Sequence, residues 1–336
     1  MPNLKIENFV NARQSIDKFI INTPLIPSNF LSKKIDGNFL LKLEMTQPIG
    51  AFKIRGAMNA ILNLDSNIKG VTCCSTGNHG KGVAYAAKTK GINSTICMSS
   101  NVPKHKIKAI KNLGADIKII GKSQDEAELY SLKFGKENNY KYISPFDDED
   151  VIAGQGTIAF ELLEKNPNLE TVLIPLSGGG LAGGIAFVLK HFKPSIKVYG
   201  ISMRNGAAMH ESIKEGKPIE VREHLSLADS LQGGIGLNNK FTFELCKKYL
   251  DDIILVSEEQ IYKSLQTIYY EDSIVCEGAC VVGIAAVLNN LIPNLKGEVA
   301  TIISGKNIDM SLHSQIISGK DVNLGNGVIK GSKYEK

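Results

Sequence analysis

From about residue 70 onward, short β-rich runs alternate with helical patterns, and this alternation restricts the fold more than any other feature of the chain. VTCC at 71–74 precedes a helical pattern from Gly80 to Lys90, STICMS at 94–99 precedes IKAIKNLG, and DIKII at 116–120 precedes SQDEAELYSLKFGKE. Each unit reads as strand then helix, and repeated units of this kind build a parallel sheet. A second series follows PFDDEDVIAGQG at 145–156: TVLIPL, a helix through LAGGIAFVLKHF, KVYGIS, and DDIILV, whose next helix opens with Ser257 and Gln260 spaced as a capping box. Two such series predict two sheets, and so an α/β protein of two domains.

The breaks in the pattern set the boundaries. The chain enters the smaller unit near Leu64–Lys69 and leaves it at the Pro-Phe-Asp-Asp stretch, 145–148. The expectation is a large domain of residues 1–67 and 147–320 and a small inserted α/β domain at 68–146. Residues 321–336, rich in Gly, Asn and Lys without periodicity, are expected to form a frayed tail.

With 336 residues, 43% of them hydrophobic, the chain can bury a sizeable core. Its net charge of +5 is spread along the sequence, and the densest basic run, PKHKIKAIK at 103–111, spaces its lysines as a solvated helix face does. That argues against a nucleic-acid partner. No apolar stretch approaches the roughly twenty residues of a membrane helix, and MPNLKIENFV lacks the regions of a signal peptide, so a cytoplasmic protein without a membrane partner is expected. The six cysteines follow no zinc or disulfide spacing and are expected to be reduced and mostly buried.

Two motif types carry chemistry. In AFKIRGA at 51–57, Lys53 sits among Ala51, Phe52, Ile54 and Ala57, apolar company that favours the neutral amine able to attack a carbonyl carbon. The competing reading makes Lys53 a surface lysine beside Arg55 on an amphipathic helix. Two strand-to-helix turns, STGNHG after VTCC and SGGGLAGG after TVLIPL, place small residues and backbone N–H groups at a helix start, where an anion can be held. Gly178, Gly180 and Gly183 also satisfy the dinucleotide fingerprint, but the strand that should end in a ribose-binding acid, KVYGIS, ends at Ser202.

Taken in order, AFKIRGA, STGNHG, SGGGLAGG and SGKNID at 304–309 resemble the fold-type II pyridoxal-phosphate enzymes of the serine/threonine dehydratase and serine racemase family; INTPLIPS at 21–28 and VCEGACVVGIAAV at 275–287 are similar to further segments of it. The resemblance covers nearly the whole chain. It implies a fold like the tryptophan synthase β-subunit, two three-layer α/β domains with the active site in the cleft between them. Pyridoxal 5'-phosphate would be bound covalently by Lys53, its phosphate by Ser177, Gly178, Gly179, Gly180 and Leu181, its ring hydroxyl by Asn78 and its pyridine nitrogen by Ser304, with Glu277 near the ring. Ser75, Thr76, Gly77, Asn78 and His79 would line the substrate carboxylate site. Many relatives have glycine where Ser177 stands.

The implied reaction is β-elimination from a small β-hydroxy-α-amino acid, giving a 2-oxo acid and ammonia, with Lys53 as the base. Thr76 stands where racemases of the family carry a serine acting on the opposite face, so serine or aspartate-type racemisation is an alternative. Metal-dependent members place acidic side chains where this chain has Ser202 and Ala208, so no metal is expected. Whole segments such as LADSLQGGIGLNN resemble most the branch of hydroxyectoine utilisation, and a β-hydroxyaspartate substrate would need a cation such as Arg204 or Arg222. Relatives are commonly dimers or larger, so the resemblance implies a homodimer.

Overall fold

The structure, a computed structural model, describes residues 4–100, 102, 104–325 and 327–335, with only the helical backbone at 104–106. Of the basic run 103–111, Pro103 and the side chains of 104–106 therefore lie outside the described residues. So do residues 1–3, Asn326 and Lys336, at the edges of the expected domain and tail.

Twelve strands are described: β1 Leu25–Pro27, β2 Asp36–Lys42, β3 Gly70–Cys74, β4 Asn93–Met98, β5 Asp116–Ile119, β6 Tyr140–Tyr142, β7 Thr171–Pro175, β8 Lys197–Met203, β9 Asp252–Val256, β10 Lys296–Ile302, β11 Val322–Asn323 and β12 Val328–Ile329. Between them run α1 Ile6–Ile16, α2 Asn29–Ser32, α3 Lys53–Leu62, α4 Asn78–Lys90, α5 Lys104–Lys111, α6 Gln124–Asn138, α7 Glu149–Lys165, α8 Gly180–Phe192, α9 Ala208–Glu215, α10 Thr242–Tyr249, α11 Glu258–Asp272, α12 Val282–Leu288 and α13 Met310–Ile317.

The strands form two main sheets. The larger has the order β1-β2-β10-β7-β8-β9, parallel except for β1 on its edge, and the smaller, β5-β4-β3-β6, is parallel throughout. Apolar runs without alternation explain why both faces are covered. In β7, Val172 and Ile174 join Ile152, Ile158, Ile185 and Val188 on one face, while Leu173 joins Ile261, Leu265 and Ile284 on the other. The smaller sheet buries Val71, Cys73 and Ile96 against Met58, Ile61 and Val83 of α3 and α4.

The chain end departs from the frayed tail expected of it. β11 and β12 pair antiparallel, Val322 against Ile329, and both side chains are buried against the larger sheet's helical layer. Gln266 donates to Ser332 O at 2.8 Å, and Tyr334 stacks on Tyr270 with ring centroids 4.9 Å apart. Two apolar anchors and a few long-range contacts suffice to dock a segment whose local sequence has no periodic signal.

Candidate active site

The carboxyl ends of both parallel sheets open on one cleft of about 1520 Å³. β3 ends at Cys74 and delivers Ser75–Gly77, β7 ends at Pro175 and delivers Ser177–Gly179, and β10 ends at Ile302 just before Ser304. Open α/β sheets bind ligands at this end because the loops there diverge and helix N-termini point in. Three helix starts on the cleft, α3, α4 and α8, have Phe52, Gly77 and Gly179 at the cap position and no side-chain cap. Side chains cap α7 and α11, through Asp148 and Ser257, and also α6 and α13, through Ser123 and Asp309, although the first turns of these last two line the cleft as well. First-turn N–H groups without a side-chain acceptor are available to an anion.

Lys53 is the first residue of α3, and its Nζ donates to Pro145 O at 2.5 Å. Burial lowers its pKa to about 8, with the Glu277 carboxylate pulling the other way. The start of α3 is tied to the segment after β10: Phe52 N–H donates to Ser304 O at 2.9 Å, and Ala51 bridges Gly305. Arg55, two residues on, is fully buried. It grips Glu44 through Nε and Nη2, each at 2.8 Å, and reaches Glu161 at 2.7 Å. The surface-helix alternative for this segment is thereby excluded.

The glycine loop is shaped by packing as well as by ligand geometry. A Cβ on Gly178 would lie 2.3 Å from the Phe146 ring, and one on Gly180 would lie 2.9 Å from Phe146 O. Gly179 has φ +89°, a conformation that L side chains avoid. Gly183, the third glycine of the dinucleotide-like pattern, packs on Leu245, and Ser202 is buried in β8, so no acid stands where a ribose would need one.

Across the cleft, Asn78 Nδ2 donates to both Glu277 oxygens at 3.0 and 3.1 Å, and its Oδ1 accepts from Asn307 Nδ2 at 2.6 Å. Ser230 Oγ donates to Glu277 at 3.3 Å. Burial raises the Glu277 pKa, opposed by the Asn78 hydrogen bond. Although Glu277 precedes a 3-10 turn at Gly278–Val281, its side chain turns into the cleft and does not cap that turn. Ser304 Oγ lies 3.3 Å from Cys280 Sγ. His79 Nε2 donates to Ile143 O at 2.9 Å, because a carbonyl can only accept; Nδ1 is then an acceptor, buried and without a partner among the described residues. Burial, helped by Lys53, lowers the His79 pKa to about 3.

Lys53, Ser75–His79, Ser177–Leu181, Glu277 and Ser304 thus all line one cleft. Sequence reasoning missed Pro145, Phe146, Gln155, Ser230 and Asn307, which line it too. Asn307 and Gln155 lay inside the quoted SGKNID and GQG segments, yet nothing local marks either as facing a ligand. An amine of lowered pKa, a loop and helix N-termini suited to phosphate, and a neutral hydroxyl fit a phosphorylated pyridine aldehyde.

The sequence matches the family described as "Pyridoxal-phosphate dependent enzyme" over residues 16–305. A Sinorhizobium fredii protein provisionally named as a threonine dehydratase is 44% identical over 321 residues, covering 95% of this chain and 97% of that protein. The L-threonine ammonia-lyase of Thermotoga maritima is 38% identical over 318 residues, covering 94% and 78%. The structure of maize serine racemase superposes with a TM-score of 0.88 at 30% identity, covering 94% of this chain and 97% of that one. The chain belongs to the pyridoxal-phosphate dependent enzyme family, with pyridoxal phosphate as its cofactor.

Proposed function

We propose that this enzyme is an ammonia-lyase that dehydrates a small β-hydroxy-α-amino acid, threonine or serine, to a 2-oxo acid and ammonia. The observation that carries the reading is Lys53, an amine of lowered pKa at the mouth of two uncapped helix N-termini. Bound pyridoxal phosphate supplies the electron sink for charge left at the α-carbon. Lys53 would hold the cofactor and, once displaced from it by the substrate amine, would take the α-proton in the neutral form that its burial favours. The first turn of α4, with Ser75–His79, receives the substrate carboxylate, and the first turn of α8, with Ser177–Leu181, receives the phosphate. Asn78 and Glu277 border the ring. Ser304, a neutral hydroxyl toward the pyridine nitrogen, favours elimination over transamination. The β-hydroxyl would then depart as water, with a proton that balances the one Lys53 removes, and the freed enamine would take up one water to give the oxo acid and ammonia.

The finer parts of the proposal are a small inserted domain, 68–146, closing over a large one of 1–67 and 147–320, a cytoplasmic homodimer, and a substrate from hydroxyectoine breakdown. The last rests on segment resemblance alone. A second reading, racemisation, is favoured by Thr76, whose hydroxyl lines the same cleft as Lys53. A dicarboxylic substrate has less support, since neither Arg204 nor Arg222 is among the described residues lining the cleft.

The test is ammonia and 2-oxo acid release from L- and D-serine, L-threonine, both β-hydroxyaspartates and ectoine-derived amino acids, with each mixture also assayed for the opposite enantiomer. Turnover of L-threonine or L-serine, lost together with the visible band of the bound cofactor in Lys53→Ala, is expected. A wild-type protein that takes up no pyridoxal phosphate would refute the reading, and inversion without ammonia would replace it with the racemase.

A further inference from the structure

We propose that Gln155 is a further cofactor-binding residue, its carboxamide Nε2 donating a hydrogen bond to the phosphate of the bound cofactor. The inference rests on the reading of the cleft given above and deepens it.

Gln155 lies on α7, is 1% exposed and lines the cleft, yet among the described residues neither Oε1 nor Nε2 has a hydrogen-bond partner. Burying both ends of a carboxamide removes their hydrogen bonds to water and returns nothing, so buried amides of this kind call for an explanation. An apolar side chain of similar length, such as methionine, would fill the same space at no such cost.

The position of the side chain follows from its neighbours. A Cβ on Gly154 would lie 2.5 Å from Arg55 O, and one on Gly156 would lie 2.8 Å from Gly184 O. Helix α7 is therefore pressed onto α3 through one glycine and onto α8 through the other. Successive helical residues are about 100° apart, so these two glycines face roughly opposite sides of α7, and the residue between them points into the gap flanked by α3 and α8. Those two helices begin with Lys53 and with Gly180. The amide reaches α3 near Lys53, since a Cβ on Gly56, one turn beyond Lys53, would lie 2.5 Å from Gln155 Nε2.

With its second pKa near 6, a phosphate ester is mostly a dianion at neutral pH, so the donor Nε2 is the atom suited to meet it. Its bond to a dianion is charge-assisted. A neutral amide supplies it without placing a further cation in the cleft.

The experiment compares the full-length wild type with Gln155→Met and Gln155→Glu, each freed of cofactor. It measures affinity for inorganic phosphate through the rise in melting temperature, and affinity for pyridoxal phosphate through the visible band. Weakening of both affinities by tenfold or more in Gln155→Met is expected, with a larger loss in Gln155→Glu, where an anion replaces the donor. The cofactor-free Gln155→Met protein should melt no lower than wild type, because an unpaired amide has been removed. Wild-type phosphate affinity in Gln155→Met would overturn the proposal, whatever its melting temperature. If Gln155→Met does not fold, the Gln155→Glu protein decides by the same criterion. Failure of the wild type itself to take up pyridoxal phosphate would refute the reading of the cleft, an outcome separable from any effect of Gln155.

Discussion

Lys53 and His79 stand at the starts of two helices on the same cleft, and burial lowers the pKa of each, to about 8 and about 3. For His79 the consequence is a pH dependence of stability with a definite sign. Its folded value lies below the ordinary 6.5, so between about pH 6.5 and pH 3 the unfolded chain binds the extra proton and the folded chain does not. Stability from this group is complete above pH 6.5 and is lost as pH falls toward 3. In chemical denaturation of the cofactor-free protein, His79→Gln is expected to show a shallower fall in stability over that window than wild type; parallel curves would show that His79 takes up its proton as freely in the folded state.

At the scale of elements, α3 carries the reactive lysine, and a buried ion cluster holds the helix in place. Arg55 bridges Glu44, just beyond β2, and Glu161 of α7, which also pairs with Lys42 of β2; Thr23 donates to Glu44 at 2.6 Å and Thr157 accepts from Arg55 at 3.1 Å. Burial raises the Glu44 pKa, but Arg55 beside it more than offsets this, and the carboxyl sits below its ordinary range. Two cations and two anions cancel, so removing one partner leaves an uncompensated buried charge. Arg55→Met is expected to cost about 3–5 kcal/mol in urea unfolding. Arg55→Lys should recover only part of that, because an ammonium cannot reproduce the guanidinium fork. A lysine variant as stable as wild type would show that charge alone, and not the fork, holds α3.

For the whole molecule, stability rests on a larger sheet covered on both faces. Leu173, in the interior strand β7, is fully buried in the cluster formed with α11 and α12. Leu173→Ala removes apolar contact and leaves a cavity, for an expected loss of about 2–5 kcal/mol. The urea midpoint should fall with an unchanged slope; a changed slope would indicate a shift in the surface exposed on unfolding. The cleft sits at the mouth of this sheet, so much of the sheet's rigidity serves to hold the β7 and β10 loops at a set distance from α3.

Much of this was readable from local sequence. Strand-helix alternation specified two parallel sheets, because period and chain reversal are set within a few residues. Lys53 stood out by its apolar neighbours in sequence and the glycine turns by their composition, as Gly179 bears out with its positive φ, whereas Ser304 was reached through the family resemblance alone. Tertiary structure decided what required distant partners. Asn78 meets Glu277 across 199 residues and Asn307 across 229, and no local pattern states that these three amides and carboxylates share a network. Arg55 reads as a surface residue until Glu44 and Glu161 enclose it, Gln155 reads as helix filler until two glycine crossings aim it into the cleft, and the chain end reads as a loose tail until Val322 and Ile329 find the core. The physical reason is the same in each case: backbone conformation is fixed by neighbours in sequence, while burial and the partnering of polar groups exist only once remote segments have closed on one another.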